Sequence, residues 1–119
     1  MDRETLISYI KDEYDVIPEA LWEKWPRHVV FRHYDTKKWF GIMVEIPANK
    51  IGIDSDQIID VLNVKLDPAD VDLLVSEHIK GFYPAYHMNK KYWISLNLSE
   101  LSDDQIKKAL AQSFDNTHK

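Results

Sequence analysis

The sequence predicts an α+β domain, an antiparallel sheet with helices on one face, in the order α-β-β-β-α-β-β-α. Three observations carry this reading. Apolar residues recur at helical spacing in three separated stretches, each opened by a capping signal. Five other runs alternate in strand fashion, and two pairs of them are joined by short basic turns. The chain of 119 residues has no cysteine and is 45% hydrophobic and 29% charged, which suits one domain over 1–119 with a single core and no disulfide.

Residues 2–14 read as a helix capped by Asp2, with Leu6, Ile10 and Tyr14 on one face. Pro18 and Pro26 mark a connector whose Trp22 and Trp25 are placed to cover part of the core. Residues 28–34 and 38–46 form a hairpin about Asp35-Thr36-Lys37, and Pro47 ends its second strand because proline cannot donate to a ladder. A turn at Gly52-Ile-Asp-Ser-Asp56 leads into a third strand, 57–66. Asp67-Pro68 starts the second helix, a capping carboxylate before proline at the first helical position. Val71, Leu74, Val75, His78 and Ile79 give that helix an apolar stripe, and Lys80-Gly81 supplies its stop. Residues 82–86 and 92–98 form a second hairpin around Asn89-Lys90-Lys91. The last helix opens on the capping box Ser102-Asp-Asp-Gln105 and turns Ile106, Leu110 and Phe114 inward.

Strict alternation assigns faces. In the second strand Phe40, Ile42, Val44 and Ile46 lie together, opposite Trp39, Gly41, Met43 and Glu45. Leu62, Val64 and Leu66, and Ile94, Leu96 and Leu98, belong with the helix-covered face. The other face then presents Trp39, Met43, Asn63, Lys65, Trp93, Ser95 and Asn97. Two readings of that face stand side by side: an exposed platform framed by two indoles, or a minor core closed by Trp22 or Trp25.

A net charge of -5 argues against a broadly basic nucleic-acid surface, since such binding relies on Lys and Arg displacing counterions from phosphates. The charge is unevenly spread. Residues 28–46 hold Arg32, Lys37 and Lys38 against Asp35 and Glu45, residues 81–98 hold Lys90 and Lys91 with no carboxylate, and the other segments are net acidic. The two basic segments are the two hairpins. No signal-peptide run and no membrane-spanning stretch appears, so cytoplasmic residence is the expectation.

Catalytic chemistry finds little support. His28 and His33 are five apart on one strand, point to opposite faces and cannot share a metal there. His78 falls on an apolar stripe, where a hydrogen-bonded core histidine is the expected role, and His118 lies in the tail. His87 is the histidine placed among other functional groups. Three glycines in the whole chain leave no phosphate-cradling loop, and no metalloprotease helix or nucleophile elbow is present. The expectation is no enzyme, no catalytic residue, no cofactor and no metal.

The informative stretch is Gly81-Phe-Tyr-Pro-Ala-Tyr-His-Met-Asn-Lys-Lys-Tyr-Trp93, echoed by Tyr34-Asp-Thr-Lys37-Lys38-Trp39-Phe40. Each sets a lysine pair among aromatics at a turn. Asn89 is placed to fix its turn by bonding its own backbone, and His87 to donate a ring proton to a carbonyl or to Tyr86. With Val30-Phe31-Arg32 and residues 60–68, these segments resemble the MmcQ/YjbR family from about Trp22 to Phe114. The family pattern falls on Trp39, Asn63, Lys65, Pro84, Tyr86, His87, Met88, Asn89, Lys90 and Trp93. Ser99-Glu100 departs from it where a glycine turn is usual, and Trp25-Pro26-Arg27 where an acidic residue often follows proline.

The resemblance implies a secretion-chaperone-like fold and DNA binding by a double wing. Under that reading Arg32, Lys37, Lys38, Lys65, Tyr86, His87, Asn89, Lys90, Lys91 and Trp93 meet nucleic acid, weakly, through about two to four phosphates. The alternative is an adaptor module that docks a peptide or protein on Trp39, Met43, Asn63 and Trp93.

Overall fold

The protein is described by a computed structural model covering residues 1–118. Its elements follow the expected order: α1 (Arg3–Tyr14), β1 (Val29–Arg32), β2 (Trp39–Pro47), β3 (Ile58–Lys65), α2 (Pro68–Ser76), β4 (Phe82–Pro84), β5 (Trp93–Asn97) and α3 (Asp103–Thr117). The five strands form one sheet ordered β1-β2-β3-β5-β4, every neighbouring pair antiparallel. Helices α1, α2 and α3 cover one face. Leu6 and Ile10, Val71, and Ile106 and Leu110 pack there against Phe31, Leu62, Val64, Ile94 and Leu96.

Local capping chemistry sets most element ends. Asp2 Oδ1 accepts the Thr5 amide at 2.8 Å. Ser102 and Gln105 exchange both bonds of a capping box, Ser102 Oγ accepting from Gln105 N at 3.2 Å and Gln105 Oε1 from Ser102 N at 2.9 Å. Asp67 occupies the cap position of α2, but its carboxylate makes no capping bond; its backbone carbonyl accepts from Val71 N.

Helix α2 stops earlier than its apolar stripe suggests. His78 turns left-handed at φ 52°, its amide bonding Val75 O and that of Ile79 bonding Leu74 O. These are the two bonds of a Schellman stop, with histidine in the place usually held by glycine. His78 is therefore exposed, and the core role expected for it is wrong. Gly81, at φ 94°, serves a different need: a Cβ there would overlap Leu101 Cδ2. The turn before α3 closes without glycine, because Glu100 Oε1 accepts both Tyr83 Oη–H and Asn97 Nδ2–H at 2.7 Å. Burial, helped by that bond to Glu100, pushes the Tyr83 phenol up to about 12.

The alternation of β2 fails at one point, with large consequences. Phe31 pairs with Gly41 and Arg32 with Trp39, so Phe40 is an extra residue, a β-bulge. Phe40 and the Cα hydrogen of Gly41 both face the helices, and every later residue of β2 changes sides relative to a strict two-residue repeat. Met43 accordingly lies beneath the helices, 0% exposed, and is no part of the open face. Ile42, Val44 and Ile46 face the other way and build a second apolar cluster with Val30, Ile51 and Val61. Ser113 of α3 seals the bulge, donating to Phe40 O at 2.6 Å and accepting from Lys65 N at 2.8 Å.

Candidate functional site

Antiparallel connectivity gathers the basic residues. β1 ends where β2 begins, β3 ends at Lys65, and β4 ends where β5 begins, all at one end of the sheet. Lys37, Lys38, Lys65, Lys90 and Lys91 therefore share that end. Lys65 is paired across the ladder with Trp93, and Trp39 lies on the strand at its other side, which sets the two tryptophan backbones about 10 Å apart. A cleft of about 250 Å³ opens between the hairpins, lined by Lys38, Trp39, Lys65, Trp93, Asn116 and Thr117.

Aromatic rings lie beside three of these ammonium groups. Lys37 Nζ lies 5.0 Å from the Tyr34 ring centre, and Lys65 and Lys91 share the Tyr92 ring at 5.6 and 5.5 Å. Arg32 differs: its Nε is 2.7 Å from Glu19 Oε2, so its charge is already answered within the protein.

The second hairpin tip is fixed from below. Buried Asn63 donates Nδ2–H to Tyr86 O at 3.0 Å and accepts from Ser95 Oγ, which in turn accepts the Tyr86 amide at 2.9 Å. Asn63 is 1% exposed and supports the tip from within. Asn89 acts as expected, Oδ1 accepting from Lys91 N at 2.9 Å and its carbonyl from Tyr92 N and Trp93 N. His87 does not. Left-handed at φ 55°, it lays its ring on Tyr86 with centres 3.9 Å apart and planes 12° from parallel, where a ring hydrogen bond had been expected.

A second cavity, of about 280 Å³, lies on the same face beside Trp39. Trp22 does fold over the sheet, meeting Trp39 edge to face at 6.2 Å, while Trp25 stacks on His28 at 6.0 Å. The cover is incomplete. Between these rings, the Ile42–Val44 floor and the 86–88 tip, space remains. His28 Nδ1 accepts the Glu45 amide at 3.4 Å, and burial, with Arg3 nearby, holds its pKa below the ordinary histidine value.

This architecture has known counterparts. The YjbR family profile matches residues 13–116, and YyaQ, an uncharacterized protein of Bacillus subtilis (strain 168), is 34% identical over 115 residues, 96% of each chain. The chain belongs to the YjbR family. A Pseudomonas syringae protein solved by crystallography is 41% identical, with TM-score 0.94 over 99% of this chain and 100% of that one. Its solution NMR structure gives TM-score 0.87 over 99% and 94%. Deinococcus radiodurans protein DR2400, 18% identical, shares the fold at TM-score 0.65 over 91% of this chain and 75% of that one.

In this YjbR domain the end of α3 returns to the first hairpin, a contact the sequence reading missed. His33 is buried, with Nε2 2.7 Å from Thr117 Oγ1; because the Thr117 hydroxyl donates to Ser113 O, the imidazole N–H is the donor of this pair. Burial first, then neighbouring His118, lowers the His33 pKa. His118 stacks on His33 at 4.6 Å and bonds Asp35 Oδ2 at 2.9 Å, so it is not a detached tail residue. The three side chains bring one potential ligand atom each within 4.8 Å of the others. The imidazole planes are only 4° apart and their centres 4.6 Å, however, so the ring lone pairs lie in separate, nearly parallel planes and do not meet at a point. Among the described residues no helix is long and apolar enough to cross a membrane.

Proposed function

We propose that the hairpin end of the sheet is a nucleic-acid-binding surface that engages DNA through its two basic tips. The observation that supports this most is convergence. Lys37, Lys38, Lys90 and Lys91, from two separate hairpins, sit at the same sheet end as Lys65, around Trp39 and Trp93. Ammonium groups at the tips meet phosphates and release counterions, while indoles offer stacking surfaces to unpaired bases. Contacts of this kind position the strand without reading its sequence. Arg32, held by Glu19, contributes less than the lysines. With so small a basic area on a chain of net charge -5, binding is weak and confined to this end.

The adaptor reading is less well supported, because Met43, one of its four residues, lies beneath the helices. Fluorescence anisotropy with labelled single-stranded and duplex DNA at low salt tests the proposal. Replacing Lys37, Lys38, Lys90 and Lys91 by alanine should weaken binding strongly while leaving the melting temperature in place. A wild-type protein that binds neither DNA, yet retains a protein partner after nuclease treatment of a lysate, would replace this reading with the adaptor.

A further inference from the structure

We propose that the cavity beside Trp39 receives a single unstacked nucleobase. The inference rests on the nucleic-acid reading for its strand-bound form, and three features carry it.

The first is position. Trp39 lines both this cavity and the cleft that contains Lys38, Lys65 and Trp93. Tyr86 and His87 of the second tip line its other side. A strand held at the lysines would therefore pass the cavity mouth.

The second is wall chemistry. Trp22, Trp25 and Trp39 supply flat apolar surfaces above Ile42 and Val44, and among the described residues no Lys, Arg, Asp or Glu lines it. The interior favours an uncharged planar ring and leaves phosphates to the lysines outside.

The third is the polar edge. His28 Nδ1 accepts the Glu45 amide, which places the neutral ring's proton on Nε2. Asn63, on the cavity wall though only 1% exposed, uses one of its two amide protons on Tyr86 O, and the other has no partner among the described residues. Two donors suit the acceptor atoms on the edge of every nucleobase. They disfavour a phenylalanine or leucine side chain, which would leave them unpaired, and an indole, which offers only a donor. At about 280 Å³ the space lies at the small end of ligand sites, suited to one ring system rather than a peptide segment.

The base could come from a strand or from a free nucleoside, and the test separates these sources. Tryptophan fluorescence is followed during titration with a short single-stranded oligonucleotide, a fully abasic strand of equal length, and free adenosine and cytidine. The normal strand should quench the signal and bind at least tenfold more tightly than the abasic strand. Val44→Phe, which fills the cavity, and Trp25→Ala, which removes its exposed wall, should each remove most of that advantage, leaving the part that stacking on Trp93 supplies. Neither should change abasic binding. Quenching by nucleosides that Val44→Phe abolishes, with no binding of either strand, would keep the base site while removing the role given to the lysines. Equal binding of normal and abasic strands, unchanged in both variants, would overturn the base site and leave the lysine surface standing. No response to any ligand would remove both.

Discussion

The two faces of the sheet are built by different means. Under the helices, side chains such as Leu6, Phe31, Leu62, Ile94 and Leu110 interlock, and α1 and α3 close over them with regular apolar stripes. Across the sheet, a single irregular connector and two hairpin tips cover a smaller cluster with Trp22, Trp39, Tyr86 and Trp93. Helices present side chains at fixed spacing and can be packed to density; loops carrying large flat rings leave gaps. The gaps lie beside the lysines. Dense packing and open space thus fall on opposite sides of one five-stranded layer.

The comparison predicts unequal costs for truncation. Leu110→Ala under the helices should lose about 2–5 kcal/mol of unfolding free energy, the usual range for a buried leucine. Trp25→Ala on the open side removes a larger ring, but that ring is 53% exposed, so a loss within about 1 kcal/mol is expected. Urea denaturation of the two variants checks the contrast. Equal losses would mean that the connector belongs to the main core.

Ser113 joins the two faces, and its replacement should have an intermediate effect. Alanine there leaves the bulged Phe40 carbonyl and the Lys65 amide without their shared hydroxyl, at a cost of about 1–3 kcal/mol. Because the bulge orients Trp39, the indole resonances of Trp39 should also shift in an NMR spectrum. Resonances unchanged despite the lost stability would show that the bulge is held by other contacts.

Histidines on both sides give a smaller effect. Burial lowers the pKa of His28 on the open side and of His33 beneath α3 from the ordinary 6.5. The unfolded chain therefore takes up these protons first as pH falls. Their stabilising contribution is complete above pH 6.5 and is lost as pH drops from there through the lowered native values. Each histidine can add a slope of at most about 1.4 kcal/mol per pH unit. Denaturation at several pH values from 7.5 downward should show the decline, and His28→Gln should flatten it. A flat profile in the unchanged protein would contradict the neutral, desolvated state given to both rings.

Most of the helix-covered face was legible in the sequence, because its signals are local. Caps at Asp2 and Ser102, proline after Asp67 and the basic turns each report on a few neighbouring residues. The alternation of β3 and β5 placed Leu62, Val64, Ile94 and Leu96 correctly. The open face was legible only in part. A bulge at Phe40 is set by its partner strand and by Ser113, more than seventy positions along the chain, and nothing local to β2 announces it. Missing it put Met43 on the wrong side and hid the cavity above Ile42 and Val44. The His33–His118 contact is likewise a product of how α3 docks. The lysine pairs were visible as motifs, but their arrival at one sheet end follows from strand order.

That convergence is tested most directly by the salt dependence of DNA binding. Affinity for a single-stranded oligonucleotide is measured across a salt series for the unchanged protein and for the variant lacking Lys37, Lys38, Lys90 and Lys91. About two to four phosphate contacts predict a slope of roughly -1.4 to -2.8 in log affinity against log salt. The variant should bind more weakly with a slope near zero. No measurable binding at low salt, or an unaltered slope in the variant, would contradict a nucleic-acid surface at this end of the sheet.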